Sequence, residues 1–429
     1  GTTVLVGPAT LNTCVALGTN LSSAAAALTD ATLIGRNIVG TSNSCVLVGN
    51  SLTAGANTGD ASFHDCALGD NVTISGNATN GCAYVFGVDE AAVTAVTVGI
   101  LASACGGTGS TGSGDGTTLT VYRADGLASW YEDAFTRFTD ETGINVNLVE
   151  AGSGEVVSRV EKEQSNPQAD LLVTLPPFIQ KAAQSNLLQP GGADTSGIAA
   201  DQVGPDGSYV PIVDNALSFI ANPGANPPPV TWDDLLKPEF KGKIQYSTPG
   251  QAGDGTAVLV LLQHLLGKPA ALDYLKALQV NNVGPSSSTG KLQPKVSNGE
   301  LLVANGDVQM NLASIKDDGS KFEIFIPAGA DGSRTSISLP YVAGVTSGAP
   351  HAEEAKKLLA YLISEDNQKT VASDALGIPV LQSLKDTGSA EPNTPGAVLD
   401  GVEVWVPDWD AVRADLDADV AAYQQATGN

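Results

Sequence analysis

Lys243-Ile-Gln-Tyr-Ser-Thr-Pro-Gly-Gln-Ala-Gly-Asp-Gly-Thr-Ala-Val-Leu-Val-Leu-Leu-Gln-His-Leu-Leu266 decides the fold of most of this chain. Lys243 to Tyr246 reads as a short strand, the next residues as a hydroxyl- and glycine-rich turn, and an apolar helix begins near Thr256. Such a strand–loop–helix unit aims free backbone N–H groups, together with Ser247, Thr248 and Thr256, at one point. The positive end of a helix dipole with spare donors suits an anion. No basic residue lies between Tyr246 and Val258, so an anion held there would rest on neutral dipoles. The competing reading is a capped helix in which Gly253 and Gly255 serve only the turn.

Working outward, the same alternation starts at Thr117. Thr118–Tyr122 reads as a strand. Leu127, Trp130, Tyr131, Ala134, Phe135 and Phe138 follow helical spacing, which predicts an amphipathic helix over Leu127–Thr142 stopped at Gly143. Ile144–Val149 and Ala169–Leu175 are further strands, with a helix over Val156–Gln164 between them. A βαβαβ series implies a parallel sheet whose ligands sit at the carboxyl ends of its strands. Those ends carry Tyr122-Arg-Ala-Asp125, Glu150-Ala-Gly-Ser-Gly154 and Thr174. Pro211–Ile220 reads as a strand leaving this lobe. Leu301–Ala313 closes a second α/β lobe, and Ser314–Phe325 returns to the first. Helices at His351–Ile363, Glu365–Asp374 and Trp409–Thr427 complete the first lobe. Two crossings predict a hinged pair, with lobe 1 over 117–213 plus 320–429, lobe 2 over 214–319, and hinges near Val213–Ala216 and Ala313–Phe325.

Residues 1 to about 90 are different material. They are rich in Gly, Ala, Ser, Thr and Asn, with Arg36 the one basic residue. Val15-Ala-Leu-Gly18, Thr32-Leu-Ile-Gly35, Val46-Leu-Val-Gly49, Cys66-Ala-Leu-Gly69 and Tyr84-Val-Phe-Gly87 repeat one pattern, with glycines 17, 14, 20 and 18 apart. Short strands at such spacing predict an all-β solenoid or roll; a small β-sandwich is the alternative. The apolar run 91–104 is too short to span a bilayer but fits a signal-peptide core. It leads into Leu101-Ala-Ser-Ala-Cys105 and a Gly/Ser linker that ends at Gly116. A buried strand joined to a linker is the other reading.

Charge narrows the partners. Twenty-one basic residues against 46 acidic ones give −25, which disfavours nucleic acid and anionic membrane surfaces. The five cysteines, Cys14, Cys45, Cys66, Cys82 and Cys105, match no zinc spacing, and no cofactor motif is present. Four of them allow two disulfides in three connectivities and leave Cys105 over.

Four segments carry a resemblance: Asp170-Leu-Leu-Val-Thr-Leu-Pro-Pro-Phe-Ile-Gln180, Tyr246-Ser-Thr-Pro-Gly-Gln-Ala-Gly-Asp-Gly-Thr-Ala257, Asn281-Asn-Val-Gly-Pro-Ser-Ser-Ser-Thr-Gly-Lys291 and Val303-Ala-Asn-Gly-Asp-Val-Gln-Met-Asn-Leu-Ala313. Together they resemble the periplasmic 2-aminoethylphosphonate-binding proteins of ABC importers, over 117–429. The resemblance implies a two-lobed type II periplasmic-binding-protein fold, α/β throughout. It also implies capture of an aminophosphonate outside the cytoplasm, delivery to a membrane ABC permease, and no catalysis. Leu101–Cys105 resembles a lipoprotein lipobox, which implies lipidation at Cys105 and anchoring to the cell membrane. Residues 1–90 resemble the heads of trimeric adhesins and phage fibres, which implies a homotrimeric segment; an adhesion or scaffold role carried there is the rival function.

An aminophosphonate needs an anion cradle at one end and carboxylate at the other. Ser153, Thr174, Ser247, Thr248, Gly255, Thr256, Ser287, Ser288 and Thr289 are the candidates for the phosphonate. One helix end contributes roughly 0.3–1 kcal/mol and each hydrogen bond to a charged group about 1.5–3. Micromolar affinity needs about 8 kcal/mol, so several donors must converge. Glu150 leads the carboxylate candidates for the ammonium, because it ends an apolar strand and precedes a Gly-Ser-Gly turn. Asp125, Asp254 and Asp307 follow, with Tyr122 or Tyr341 covering the alkyl arm. Asp254 as a helix cap and Asp307 as a turn residue are the plainer alternatives. Gly284–Lys291 fails as an ATP loop on spacing, and Ala151–Glu155 lacks a nucleophile elbow. Ferric-ion or other-anion binding remains an alternative on the same fold, although no Tyr-Tyr pair follows Leu312.

Overall fold

The computed structural model describes residues 117–385 and 391–428, and within 1–116 the backbone of seven strands. It divides into two compact units, Gly1–Gly112 and Ser113–Asn429. In the first, β1 (Val4–Val6), β2 (Cys14–Thr19), β3 (Leu21–Ser23), β4 (Ala31–Gly40), β5 (Ser44–Gly55), β6 (His64–Ser75) and β7 (Ala83–Phe86) form one sheet. Every pairing is parallel, and the register sets Gly18 beside Gly35, Gly35 beside Gly49, and Gly49 beside Gly69. Gly18, Gly35, Gly49 and Gly69 therefore form a row. Closure of these strands into coils depends on intervening residues outside those described. The apolar run 91–104, the lipidation expected at Cys105, the cysteine pairing and the homotrimer likewise lie outside what the described residues show.

In the second unit the strands are β8 (Thr118–Ala124), β9 (Asn145–Ala151), β10 (Leu171–Thr174), β11 (Leu188–Gln189), β12 (Val210–Val213), β13 (Leu217–Ala221), β14 (Ile244–Gln245), β15 (Val303–Asp307), β16 (Glu323–Phe325), β17 (Thr335–Ile337), β18 (Tyr341–Thr346) and β19 (Glu403–Trp405). The helices are α1 (Ala128–Thr142), α2 (Ser153–Lys162), α3 (Phe178–Gln184), α4 (Gly253–Leu266), α5 (Lys268–Leu278), α6 (Gln293–Ser297), α7 (Val308–Asp317), α8 (Ala352–Leu362), α9 (Glu365–Gln368), α10 (Pro395–Val398) and α11 (Trp409–Thr427).

One sheet runs β11-β18-β10-β8-β9, with β12 also on β18. Its β9-β8-β10 core is parallel, and β18 is antiparallel to β10. Helices cover both faces, which is why Leu171-Leu-Val is a continuous buried run rather than an alternating one. Trp130, Tyr131, Ala134, Phe135 and Phe138 of α1 are all buried against this sheet. Burying such a large side chain contributes about 1.5–3 kcal/mol each. A second sheet, β14-β15-β13-β16, is covered by α4, which is buried along most of its length.

Pro211–Ile220, expected as one strand, is two. β12 belongs to the first sheet and β13 to the second, with Asp214-Asn215-Ala216 between them. The return crossing also differs from expectation. Glu323–Phe325 pairs with β13 and extends the second sheet, so the chain goes back only between β17 and β18. The two crossing segments bond to each other: Leu339 N donates to Asn215 O at 2.9 Å, and Ala216 bridges Ser338. A three-residue strand paired across a hundred positions leaves no local mark, which is why β16 escaped the sequence.

The C-terminal helix departs from expectation as well. α11 packs on α3 of the first half but also on α5 of the second. Lys268 Nζ, at the start of α5, reaches Asp415 and Asp419 at 2.7 and 2.9 Å, and the Tyr423 and Tyr246 hydroxyls lie 2.9 Å apart.

Candidate functional site

The two sheets meet through their strand ends. β8 finishes at Ala124, and Asp125 follows it at the mouth of the parallel sheet. One carboxylate oxygen of Asp125 accepts from three donors of the facing loop: Ser288 Oγ at 2.8 Å, Thr289 N at 3.1 Å and Gly290 N at 3.3 Å. Two consecutive backbone N–H groups and a hydroxyl converging on one anionic oxygen make an anion nest. After β9, Gly152 precedes α2. A Cβ at Gly152 would overlap the Ser287 carbonyl oxygen, and Gly154 N donates to Gln251 O at 2.9 Å. Backbone meets backbone there, so glycine is required for closeness of approach.

The stretch Ser247–Thr256 folds largely onto itself. Thr248 Oγ1 accepts from Ser286 N at 2.9 Å. Thr256 Oγ1 donates to Ala252 O and accepts from Gly250 N, at 2.8 and 2.9 Å. A Cβ at Gly255 would collide with the Ser247 carbonyl oxygen, so this glycine lets the turn close under α4. Ser247 N donates to Asn305 Oδ1 at 2.8 Å. Thus Thr248, Gly255 and Thr256, expected at the phosphonate, hold the loop in shape.

Thr289 links the nest to a group of buried acids. Its hydroxyl lies 3.0 Å from Ser247 Oγ and donates to Asp254 Oδ2 at 2.9 Å. Asp254 sits in the first turn of α4, is 2 % exposed, and its Oδ1 has no partner among the described residues. Burial, with negative charge from Asp307 and more weakly Asp125, pushes its carboxyl well above the ordinary 3.8. Asp307 ends β15 and caps α7, accepting from Met310 N at 2.6 Å; its other oxygen accepts from Tyr341 Oη at 2.8 Å. Burial raises its carboxyl too, less steeply because these donors favour the charged form. Burial beside Asp307 and Asp254 holds Tyr341 firmly protonated, as a donor. Thr289 thus joins the donors around Asp125 to the buried carboxyls of Asp254 and Asp307.

The other expected residues fall differently. The Glu150 carboxylate is paired with Arg123 and half exposed, so its charge is already matched. Tyr122 belongs to a separate core: its hydroxyl donates to Glu163 at 2.8 Å, the Arg159 guanidinium lies over its ring, and burial with that bond pushes it up to about 12. Tyr122, expected along the alkyl arm, thus spends its hydroxyl on Glu163. Thr174 is buried and donates to Ser153 O at 3.0 Å, joining β10 to α2. Ser153 is buried at the start of α2, and Ser287 is exposed with its carbonyl towards Gly152. Sequence reasoning passed over Asn305, although it lies two residues before Asp307 and so on the same face of β15. It also passed over Arg123, which is 6 % exposed, donates to Gly126 O at 2.7 Å and keeps a buried Nε without partner among the described residues. Among the described residues no group of three or more His, Cys, Asp or Glu is arranged to hold a metal.

Two sheets joined by adjacent crossings, with polar strand ends facing one another, define a two-lobed binding protein of the type II periplasmic class. Residues 119–374 match the family described as bacterial extracellular solute-binding protein. The chain belongs to that family. It is 46% identical to a Salmonella typhimurium protein named "Putative 2-aminoethylphosphonate-binding periplasmic protein", over 72% of this chain and 92% of that one. It is 26% identical to Iron uptake protein A1 of Synechocystis, over 59% of this chain and 73% of that one. The periplasmic binding protein AfuA from Actinobacillus pleuropneumoniae superposes with a TM-score of 0.62 at 19% identity, over 72% of this chain and 99% of that one. As a family member the protein binds a solute outside the cytoplasm. No helix among the described residues is long and apolar enough to cross a membrane.

Proposed function

We propose that the protein captures 2-aminoethylphosphonate for an ABC permease and performs no catalysis. The observation that carries this is Asp254: a buried carboxyl with a free oxygen, beside Asp307 and joined through Thr289 to an anion nest. A two-carbon zwitterion matches a pair of buried acids and a donor nest that share Thr289. The phosphonate takes Ser288 Oγ, Thr289 N and Gly290 N, the donors that Asp125 now holds. Its oxygen replaces the Asp125 oxygen, and Asp125, released, joins Asp254 and Asp307 around the ammonium. Tyr341 lies along the alkyl arm. Three donors at about 1.5–3 kcal/mol each, with a desolvated ion pair, reach the roughly 8 kcal/mol of a micromolar complex. The lobes turn about Asp214–Ala216 and Ser338–Pro340, and the permease reads the closed form.

Calorimetry tests this with 2-aminoethylphosphonate, ethylphosphonate, ethanolamine, phosphate and ferric ion. Tight 1:1 binding of the zwitterion, with both half-ligands at least about a hundredfold weaker, is the expected result. Saturable binding of ferric ion without the zwitterion would move the assignment to iron. Silence from all five would leave the strands of residues 1–90 as the functional part, in adhesion.

A further inference from the structure

Asp125 touches both ends of the site. Its carboxylate holds Ser288 Oγ, Thr289 N and Gly290 N of the facing loop, all three of them neutral donors. Through Thr289, whose hydroxyl donates to Asp254 at 2.9 Å, it stands one residue from the buried acids. The next residue, Gly126, is pressed against Tyr341: a Cβ there would overlap the hydroxyl that Tyr341 donates to Asp307. Arg123, two residues earlier, is turned to Gly126 O and Glu150. The Asp125 charge is therefore held by dipoles of the opposite lobe.

Neither side needs this contact to keep its shape. In the loop, Ser286 Oγ donates to Ser288 O at 2.7 Å, Leu292 N to Thr289 O at 2.9 Å and Thr248 N to Ser286 O at 2.7 Å. On the other side, Arg123 Nη1 donates to Gly126 O at 2.7 Å and Leu127 N to Gln309 Oε1 at 3.2 Å. Asp125 itself is half-buried, so its carboxylate can leave the donors by side-chain rotation while both backbones stay in place. An anion that takes the nest then breaks three bonds to one oxyanion and makes three to another. Hydrogen bonding alone gives it little advantage over Asp125. The difference lies in charge. The released carboxylate faces the anion that displaced it, with Asp254 just behind Thr289, and like charges so placed repel unless a cation arrives with the ligand. An ammonium two carbons from a phosphonate supplies one; inorganic phosphate and ethylphosphonate do not.

Resting on the cleft assignment above, we propose that Asp125 is the specificity-determining residue of the site: it occupies the nest against anions that carry no cation, and gives way to those that do. Rejection of the wrong ligand is then built from repulsion, not from a missing contact.

The test is calorimetry of ethylphosphonate, inorganic phosphate and 2-aminoethylphosphonate on the full chain, as wild type, Asp125→Asn and Asp125→Ala. The first variant keeps the shape and removes the charge; the second removes the oxygen that fills the nest. Affinity for ethylphosphonate and phosphate is expected to rise about tenfold or more in both, while that for 2-aminoethylphosphonate falls about tenfold. The preference for the zwitterion over ethylphosphonate, about a hundredfold in the wild type, thus shrinks to near parity. Damage to the fold lowers every affinity together, so a gain for the plain anions reads the displaced charge. Asp133→Asn, exposed on α1, removes a charge elsewhere and leaves the plain anions as weak as in the wild type. The proposal is overturned if neither Asp125 variant binds ethylphosphonate better than the wild type does, or if Asp133→Asn gives the same gain. Failure of 2-aminoethylphosphonate to bind the wild type would count against the cleft assignment alone, because the ethylphosphonate arms read without it.

Discussion

Two hydroxyl-rich loops lie side by side in the second half of the molecule, and they use their donors in opposite ways. Around Ser247–Thr256, Thr248 and Thr256 bond backbone atoms of the neighbouring loop and of their own turn. Around Ser286–Gly290, Ser288 Oγ, Thr289 N and Gly290 N reach across to Asp125 of the other sheet. Both loops contain the residue types that hold anions. Only one presents donors not needed to hold itself together. A ligand site is marked by donors and acceptors left over after the local structure is satisfied, not by composition.

The acids sharpen the same contrast and give the largest expected effect. Asp254→Ala removes the carboxyl with the free oxygen. The affinity for 2-aminoethylphosphonate is expected to fall about a hundredfold or more by calorimetry, and retained affinity would shift the ammonium elsewhere. Ser288→Ala removes one donor to the anion and is expected to weaken binding about tenfold. Thr256→Val tests the other loop: stability drops by about 1 kcal/mol in urea unfolding while affinity stays within about threefold. Equal losses of affinity in the two variants would erase the distinction between the loops.

The pH dependence follows from Asp254 and Asp307. Their carboxyls are raised in the folded protein, so between the ordinary 3.8 and the raised value the folded state holds protons that the unfolded chain has released. The unliganded protein is therefore most favoured by these groups below 3.8 and loses that contribution as pH rises through the folded values. Bound ammonium favours the charged forms, so affinity rises with pH over the same window. Urea midpoints and calorimetry across pH 4 to 8, repeated on Asp254→Asn, check both signs; an unchanged slope in the variant would assign it to other groups. The smallest effect is expected at Glu150→Gln. Its partner Arg123 already matches the charge at a half-exposed position, where such pairs contribute about 0–1 kcal/mol. A large loss of amine-bearing ligand there would return Glu150 to the site.

Much of this was legible in the chain itself. The apolar spacing of Trp130 to Phe138, the buried run at Leu171 and the strand–turn–helix at Lys243 are local patterns, and each became the type of element expected, although α4 begins at Gly253 and not near Thr256. Asp125, Asp254, Asp307, Ser288 and Thr289 could be named as candidates because strand ends and helix starts are readable from sequence. Their pairing was not. That Asp125 would cap the Ser288 loop, and that Glu150 would be claimed by Arg123 while Asp254 Oδ1 found no partner among the described residues, depends on contacts between residues up to 165 positions apart. Likewise β16 and α11 took their places from pairing and packing across the fold. Sequence determined which groups were available, because backbone geometry and periodicity act over a few residues. Tertiary structure alone decided which of them were left unsatisfied, because satisfaction is set by whatever distant segment arrives to fill the gap.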